Sequence, residues 1–116
     1  MRHFPDGESY LRYETPVDGK NVILVATLDR PDAKILPLIF AAGTAMELGA
    51  SQVGLVAPYL AYMRQDKSFK SGESISSVHF AKTLSSWIDW LVTVDPHLHR
   101  RSTLNEIYSV PSLVVH

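Results

Sequence analysis

Four short apolar runs punctuate the chain: Val22-Ile23-Leu24-Val25-Ala26, Val53-Gly54-Leu55-Val56-Ala57, Leu91-Val92-Thr93-Val94 and Leu113-Val114-Val115. Each is too short for a helix, rich in β-branched residues and free of polar alternation, the pattern of a strand buried on both faces. Between the first two, Ile35, Leu38, Ile39, Ala42, Ala45 and Met46 recur at helical spacing. They predict a helix over residues 33–48, capped by Asp32, stopped by Gly49 and bent in its first turns by Pro37. A second helix is predicted over residues 74–84, where capping serines lead into Val78, Phe80, Ala81 and Leu84. Strands alternating with helices imply parallel pairing through right-handed crossovers. The fold class expected is therefore α/β, a three-layer parallel sheet with helices on both faces. Residues 10–14 alternate apolar and polar and predict a further strand with one wet face, in a flap or edge pair.

Composition narrows this to one domain. The 116 residues are 46% hydrophobic and 20% charged, enough to bury a core without disulfides or a structural metal. There is no cysteine, which removes thiolate zinc sites and cysteine nucleophiles and agrees with a reducing, cytoplasmic setting. A net charge of -1 gives no general pull toward nucleic acid or an anionic membrane, so any phosphate site must be local. The longest apolar run, residues 35–42, contains Pro37 and is too short to span a bilayer.

Three segments can carry chemistry. Tyr62-Met63-Arg64-Gln65-Asp66-Lys67 follows the strand that ends at Pro58, and open α/β sheets bind ligands beyond the carboxyl ends of their strands. An arginine fork, an amide and an acid there suit phosphate, a purine edge and ribose hydroxyls, with Lys67 and Lys70 as supporting point charges. A solvated polar loop is the plain alternative, although connections this long in compact α/β domains usually bind something. Phe4-Pro5-Asp6-Gly7-Glu8 is a tight turn. It reads either as a surface loop with solvated acids or as a clasp in which Phe4 stacks on a base while Asp6 and Glu8 accept hydrogen bonds. Asp95-Pro96-His97-Leu98-His99 closes the third strand. The paired histidines invite zinc, but no third ligand stands at a matching spacing. Asp95 and His97 suit instead a magnesium ion that arrives with a nucleotide and keeps most of its waters. His79 reads as a partly buried helix residue rather than a ligand, and Trp87 and Trp90 as core or interface. Walker, dinucleotide-binding and nucleophile-elbow motifs are absent.

In this order and approximate spacing, the three segments resemble the ribose-phosphate pyrophosphokinases, the phosphoribosyl pyrophosphate synthetases. Gly72-Glu73-Ser74-Ile75-Ser76, leading into a helix between the last two, adds to the likeness, which spans nearly the whole chain. The resemblance implies a type I phosphoribosyltransferase-like fold and magnesium-assisted transfer of diphosphate from ATP to ribose 5-phosphate. It implies that Phe4, Asp6 and Glu8 reach the adenine of ATP held by a neighbouring subunit. Arg64 and Gln65 match the ATP-contacting pair, and His97 matches the histidine at the magnesium site. A homo-oligomer, a dimer or hexamer, is implied as well. Two positions depart from the family pattern: Phe69 stands where many relatives carry an acid, and Pro96 replaces an aliphatic residue between Asp95 and His97.

Residues 1–116 are read as one partial N-terminal ATP-binding domain. The family's second domain, with its acidic ribose 5-phosphate loop and its flexible loop, finds no counterpart among these residues. The chain alone is therefore expected to be inactive. The alternative is a non-catalytic subunit that associates with a synthetase and regulates or assembles it.

Overall fold

The computed structural model describes residues 2–63, 70–94 and 107–115. A short antiparallel hairpin comes first, β1 (Arg2–His3) and β2 (Ser9–Tyr10). It is followed by β3 (Asn21–Val25), α1 (Asp32–Glu47), β4 (Gln52–Ala57), α2 (Ser76–Ser85), β5 (Trp90–Val94) and β6 (Ser112–Val115). The last four strands form one parallel sheet in the order β3-β4-β5-β6. All four apolar runs are thus strands of one parallel α/β sheet, each displaced from its predicted bounds by a residue or so.

The register sorts the sheet into two faces. Leu24, Leu55 and Leu91 are aligned across three strands, as are Ala57, Thr93 and Val114 toward the carboxyl ends. Against this face pack Leu38 of α1, Ala81 and Leu84 of α2, and Tyr108 ahead of β6, in a single buried cluster. A smaller cluster of Ala42, Ala45 and Val53 extends it toward the amino ends. Sequential neighbours stepping one way across a sheet through right-handed crossovers place successive crossovers on the same face, and both described helices lie on it.

The opposite face carries Ile23, Val25, Val56, Val92, Val94, Leu113 and Val115, with no helix against it among the described residues. Ile23 and Val25 are 57% and 71% exposed and Leu113 is 61% exposed, so β3 and β6 are not buried on both sides as their apolar runs imply. Of the two inner strands, β4 comes nearest to that expectation. Gly54 of β4 is buried because the indole of its β5 partner Trp90 covers it.

Helix α1 continues through Pro37, whose ring nitrogen removes the donor that would reach the Ala33 carbonyl. Asp32 does not cap it: Asp32 is already helical, and Pro31 occupies the cap position without a side-chain bond. The end is as predicted. Gly49, at φ +92°, turns the chain, and its N–H bonds to the Met46 carbonyl. A side chain there would strike the Asp18 carboxylate at 2.5 Å. Helix α2 starts two residues later than predicted and has no side-chain cap bond, since Ser74 Oγ and Ser76 Oγ pair with each other instead. Residues 11–14 are not a strand. Leu11 and Tyr13 turn inward and Arg12 and Glu14 outward, as the alternation implies, but the antiparallel ladder with β1 reaches only as far as Tyr10, opposite Arg2. Tyr13 is held by its hydroxyl, which donates to the Ala41 carbonyl of α1 at 2.8 Å. Neither described helix is long and apolar enough to cross a membrane.

Candidate functional site

An open cleft lies beyond the carboxyl ends of β3 and β4. The ladder between β3 and β4 continues past β3, with Ala26 N–H bonding to Val56 O at 3.0 Å and Leu28 N–H to Tyr59 O at 3.1 Å. The two segments then part around an open cleft of about 530 Å³ lined by Asp29, Arg30, Pro31, Asp32, Ala33, Tyr59, Ala61 and Tyr62. Arg30 and Tyr62 are the non-glycine residues with positive φ among those described, at 50° and 64°, and both line this cleft. Such backbone is held by its surroundings and clusters at working sites.

Charge within the cleft is balanced locally. Lys34 Nζ pairs with Asp29 and also donates to the Thr27 carbonyl at 2.8 Å. The hydrogen bond from Lys34 to Asp29 is the main reason the Asp29 carboxyl sits below its ordinary pKa. Tyr62 Oη donates to the Asp32 carboxylate, and this bond, ahead of slight burial, raises the Tyr62 pKa. Arg30 is exposed and opens onto the same space. Asp29 and Arg30 belong to a second polar run at a strand's carboxyl end, residues 29–32, which sequence reading passed over in favour of the run after β4. The signal was the same, a polar turn directly after an apolar strand.

The Phe4 to Glu8 turn forms the tip of the β1–β2 hairpin. Phe4 N–H bonds to Glu8 O at 2.7 Å and Gly7 N–H to Phe4 O at 2.8 Å, with Gly7 at φ +93°. The Glu8 N–H donates to Asp6 Oδ1 at 3.0 Å, and chiefly for that reason the Asp6 carboxyl is held below its ordinary pKa. One Asp6 oxygen is thus used inside the turn. The Phe4 ring meets Tyr10 edge to face, centroids 5.6 Å apart, and remains 44% exposed. Phe4, Asp6 and Glu8 are therefore grouped on one exposed, internally bonded tip.

The hairpin and the cleft flank the first turn of α1. His3 and Leu11 line a groove of about 480 Å³ against Leu24, Lys34 and Pro37, and Ala33 borders both spaces. Arg64, Gln65, Asp66, Lys67 and Phe69 lie outside the described residues, as do Asp95, Pro96, His97 and His99. The described residues contain no group of three or more metal-ligating side chains. His79 is an exposed residue of α2. Trp87 is 41% exposed and lies against Gly43 of α1, where an added methyl would come within 3.0 Å of its ring.

Residues 1–87 match the family profile described as the N-terminal domain of ribose phosphate pyrophosphokinase. The chain is similar to ribose-phosphate pyrophosphokinase from Saccharolobus solfataricus, 44% identical over 96 residues that make up 81% of this chain and 33% of the relative. It is also similar to the protein of the same name from Methanothermobacter thermautotrophicus, 36% identical over 111 residues, 95% of this chain and 38% of the relative. In fold it is similar to the crystal structure of phosphoribosylpyrophosphate synthetase from Mycobacterium smegmatis. The TM-score is 0.83 at 22% identity, covering 98% of this chain and 38% of the other. The chain thus spans little more than a third of the length of these proteins.

Proposed function

The chain belongs to the ribose-phosphate pyrophosphokinase family through its N-terminal domain, and on that premise we propose that it holds the ATP side of diphosphoryl transfer to ribose 5-phosphate. The observation that carries this reading is the cleft beyond β3 and β4, because its wall residue Tyr62 leads the chain directly into Arg64 and Gln65. Arg64 is assigned to the ATP phosphates, where a guanidinium makes two parallel charge-assisted bonds, and Gln65 to the nucleotide beside it. The exposed Phe4 ring and the Asp6 and Glu8 carboxylates are assigned to the adenine of ATP on a neighbouring subunit. A homo-oligomer is therefore part of the reading.

Diphosphoryl transfer needs no covalent nucleophile from the protein. Positioning of the reactants and neutralisation of developing charge do most of the work. Magnesium would supply part of that neutralisation, with Asp95 and His97 beside it. One carboxylate and one imidazole suit a metal that keeps most of its waters and borrows oxygens from phosphates. The acceptor, ribose 5-phosphate, is assigned to the part of the relatives' length that this chain does not span, so the chain alone is expected to bind ATP without forming product.

Equilibrium binding of magnesium ATP tests the assignment. Arg64→Ala is expected to weaken binding by about 1.5–3 kcal/mol, the range for a hydrogen bond to a charged group. Unchanged affinity would remove Arg64 from the site. Robust formation of phosphoribosyl pyrophosphate by the chain alone would contradict the division of labour.

A further inference from the structure

We infer that Asp32 and Tyr62 form a positioning pair for nucleotide binding, fixing the turn from which the chain enters Arg64; the inference rests on the nucleotide reading above and adds these two residues to it. Tyr62 sits at φ 64°, where an L-residue with a bulky side chain stays only if its neighbours hold it. Three contacts hold it. Its hydroxyl donates to the Asp32 carboxylate on the first turn of α1, thirty residues earlier in the chain. Its ring leans on Phe80 of α2, centroids 5.0 Å apart at 44°. On either side Ala61 and Met63 are each only 3% exposed, set into the main core.

The Asp32 end of the pair is equally telling. A carboxylate at the start of a helix ordinarily bonds the free N–H groups there, yet α1 has no side-chain cap bond. The Asp32 carboxylate bonds across the cleft to Tyr62 instead. The pair thereby ties together the two walls of the cleft, one from the end of β3 and one from the end of β4. A hydrogen bond open to solvent adds little to global stability, so its effect should be felt in how well the cleft is set for its ligand.

The test is calorimetric titration of the chain with magnesium ATP, comparing Tyr62→Phe, Asp32→Ala, Asp32→Asn, the Tyr62→Phe/Asp32→Ala double variant and Arg64→Ala. Tyr62→Phe keeps the ring on Phe80, so the fold is retained, which circular dichroism checks. Tyr62→Phe and Asp32→Ala are each expected to raise Kd by about three- to tenfold, the equivalent of one net hydrogen bond. Their double variant should be no weaker than either single change, since both remove the same bond. Asp32→Asn, which keeps an acceptor oxygen, should recover most of the affinity. If Arg64→Ala weakens binding while Tyr62→Phe and Asp32→Ala leave Kd unchanged, the pair has a structural role only and the inference is overturned. If the unsubstituted chain does not bind magnesium ATP, the pair's role falls together with the nucleotide reading.

Discussion

The indole of Trp90 lies so closely over Gly54, its direct partner on the neighbouring strand, that a methyl group on Gly54 would stand 1.9 Å from Trp90 Cε2. No side-chain rotation at position 54 relieves this, because the clash is with a Cβ fixed by the backbone. Gly54→Ala is expected to destabilise the chain by about 1–3 kcal/mol, the range for overpacking. Urea unfolding measures it. Trp90→Leu in the same background should return part of the loss, since the two positions share one contact.

Tyr108 is 2% exposed, and its hydroxyl has no hydrogen-bond partner among the described residues. Burial pushes its pKa up, which means that the fold favours the neutral phenol. The stability this lends is intact below the ordinary tyrosine value near 10 and is lost as the pH climbs through the raised folded value. Unfolding followed from pH 8 to 11 should therefore show an alkaline loss that Tyr108→Phe reduces. At neutral pH the same substitution removes an unpaired buried hydroxyl and should stabilise by about 1 kcal/mol.

The hairpin tip should respond to acid locally. The Asp6 carboxyl is held low by the Glu8 N–H, so its contribution is present above the unfolded value near 3.9 and disappears as the pH falls through the folded value below it. The NMR shift of the Glu8 backbone N–H should follow the Asp6 titration, and Asp6→Asn should remove that component. Gly7 at φ +93° has open space around it, so Gly7→Ala costs only backbone strain, about 1 kcal/mol.

Strand positions and helix spans were legible because apolar runs and helical spacing report local burial. Coverage of the faces was not. Val25 and Leu113 are as apolar as Leu55, yet they lie on a face that no described helix covers. The reason is topological: four strands in sequential order keep their crossovers on one side, a property of strand order that no single run encodes. At the site, the Phe4 to Glu8 turn was readable from Pro5 and Gly7. The role of Asp32 was misread, because capping is a local rule and its actual partner, Tyr62, is brought near by the β4 connection. Asp29 and Arg30 went unnoticed for want of a motif.

The bare face predicts association. Ile23 and Val25 on one outer strand, β3, and Leu113 and Val115 on the other, β6, are exposed apolar side chains of the same sheet face. Leu113→Glu should lower the sedimentation coefficient of self-associated material at high concentration. As a surface change it should alter stability by no more than about 0.5 kcal/mol. Unchanged association would move the contact to another face.

Photolabelling with an azido analogue of ATP in the presence of magnesium, followed by mass-spectrometric mapping, asks most directly where the nucleotide sits. The account predicts label in the peptides that carry Phe4 to Glu8 and Tyr59 to Gln65, protected by excess ATP. Protectable label confined to the bare face, in peptides carrying Ile23, Val92 or Leu113, would contradict it.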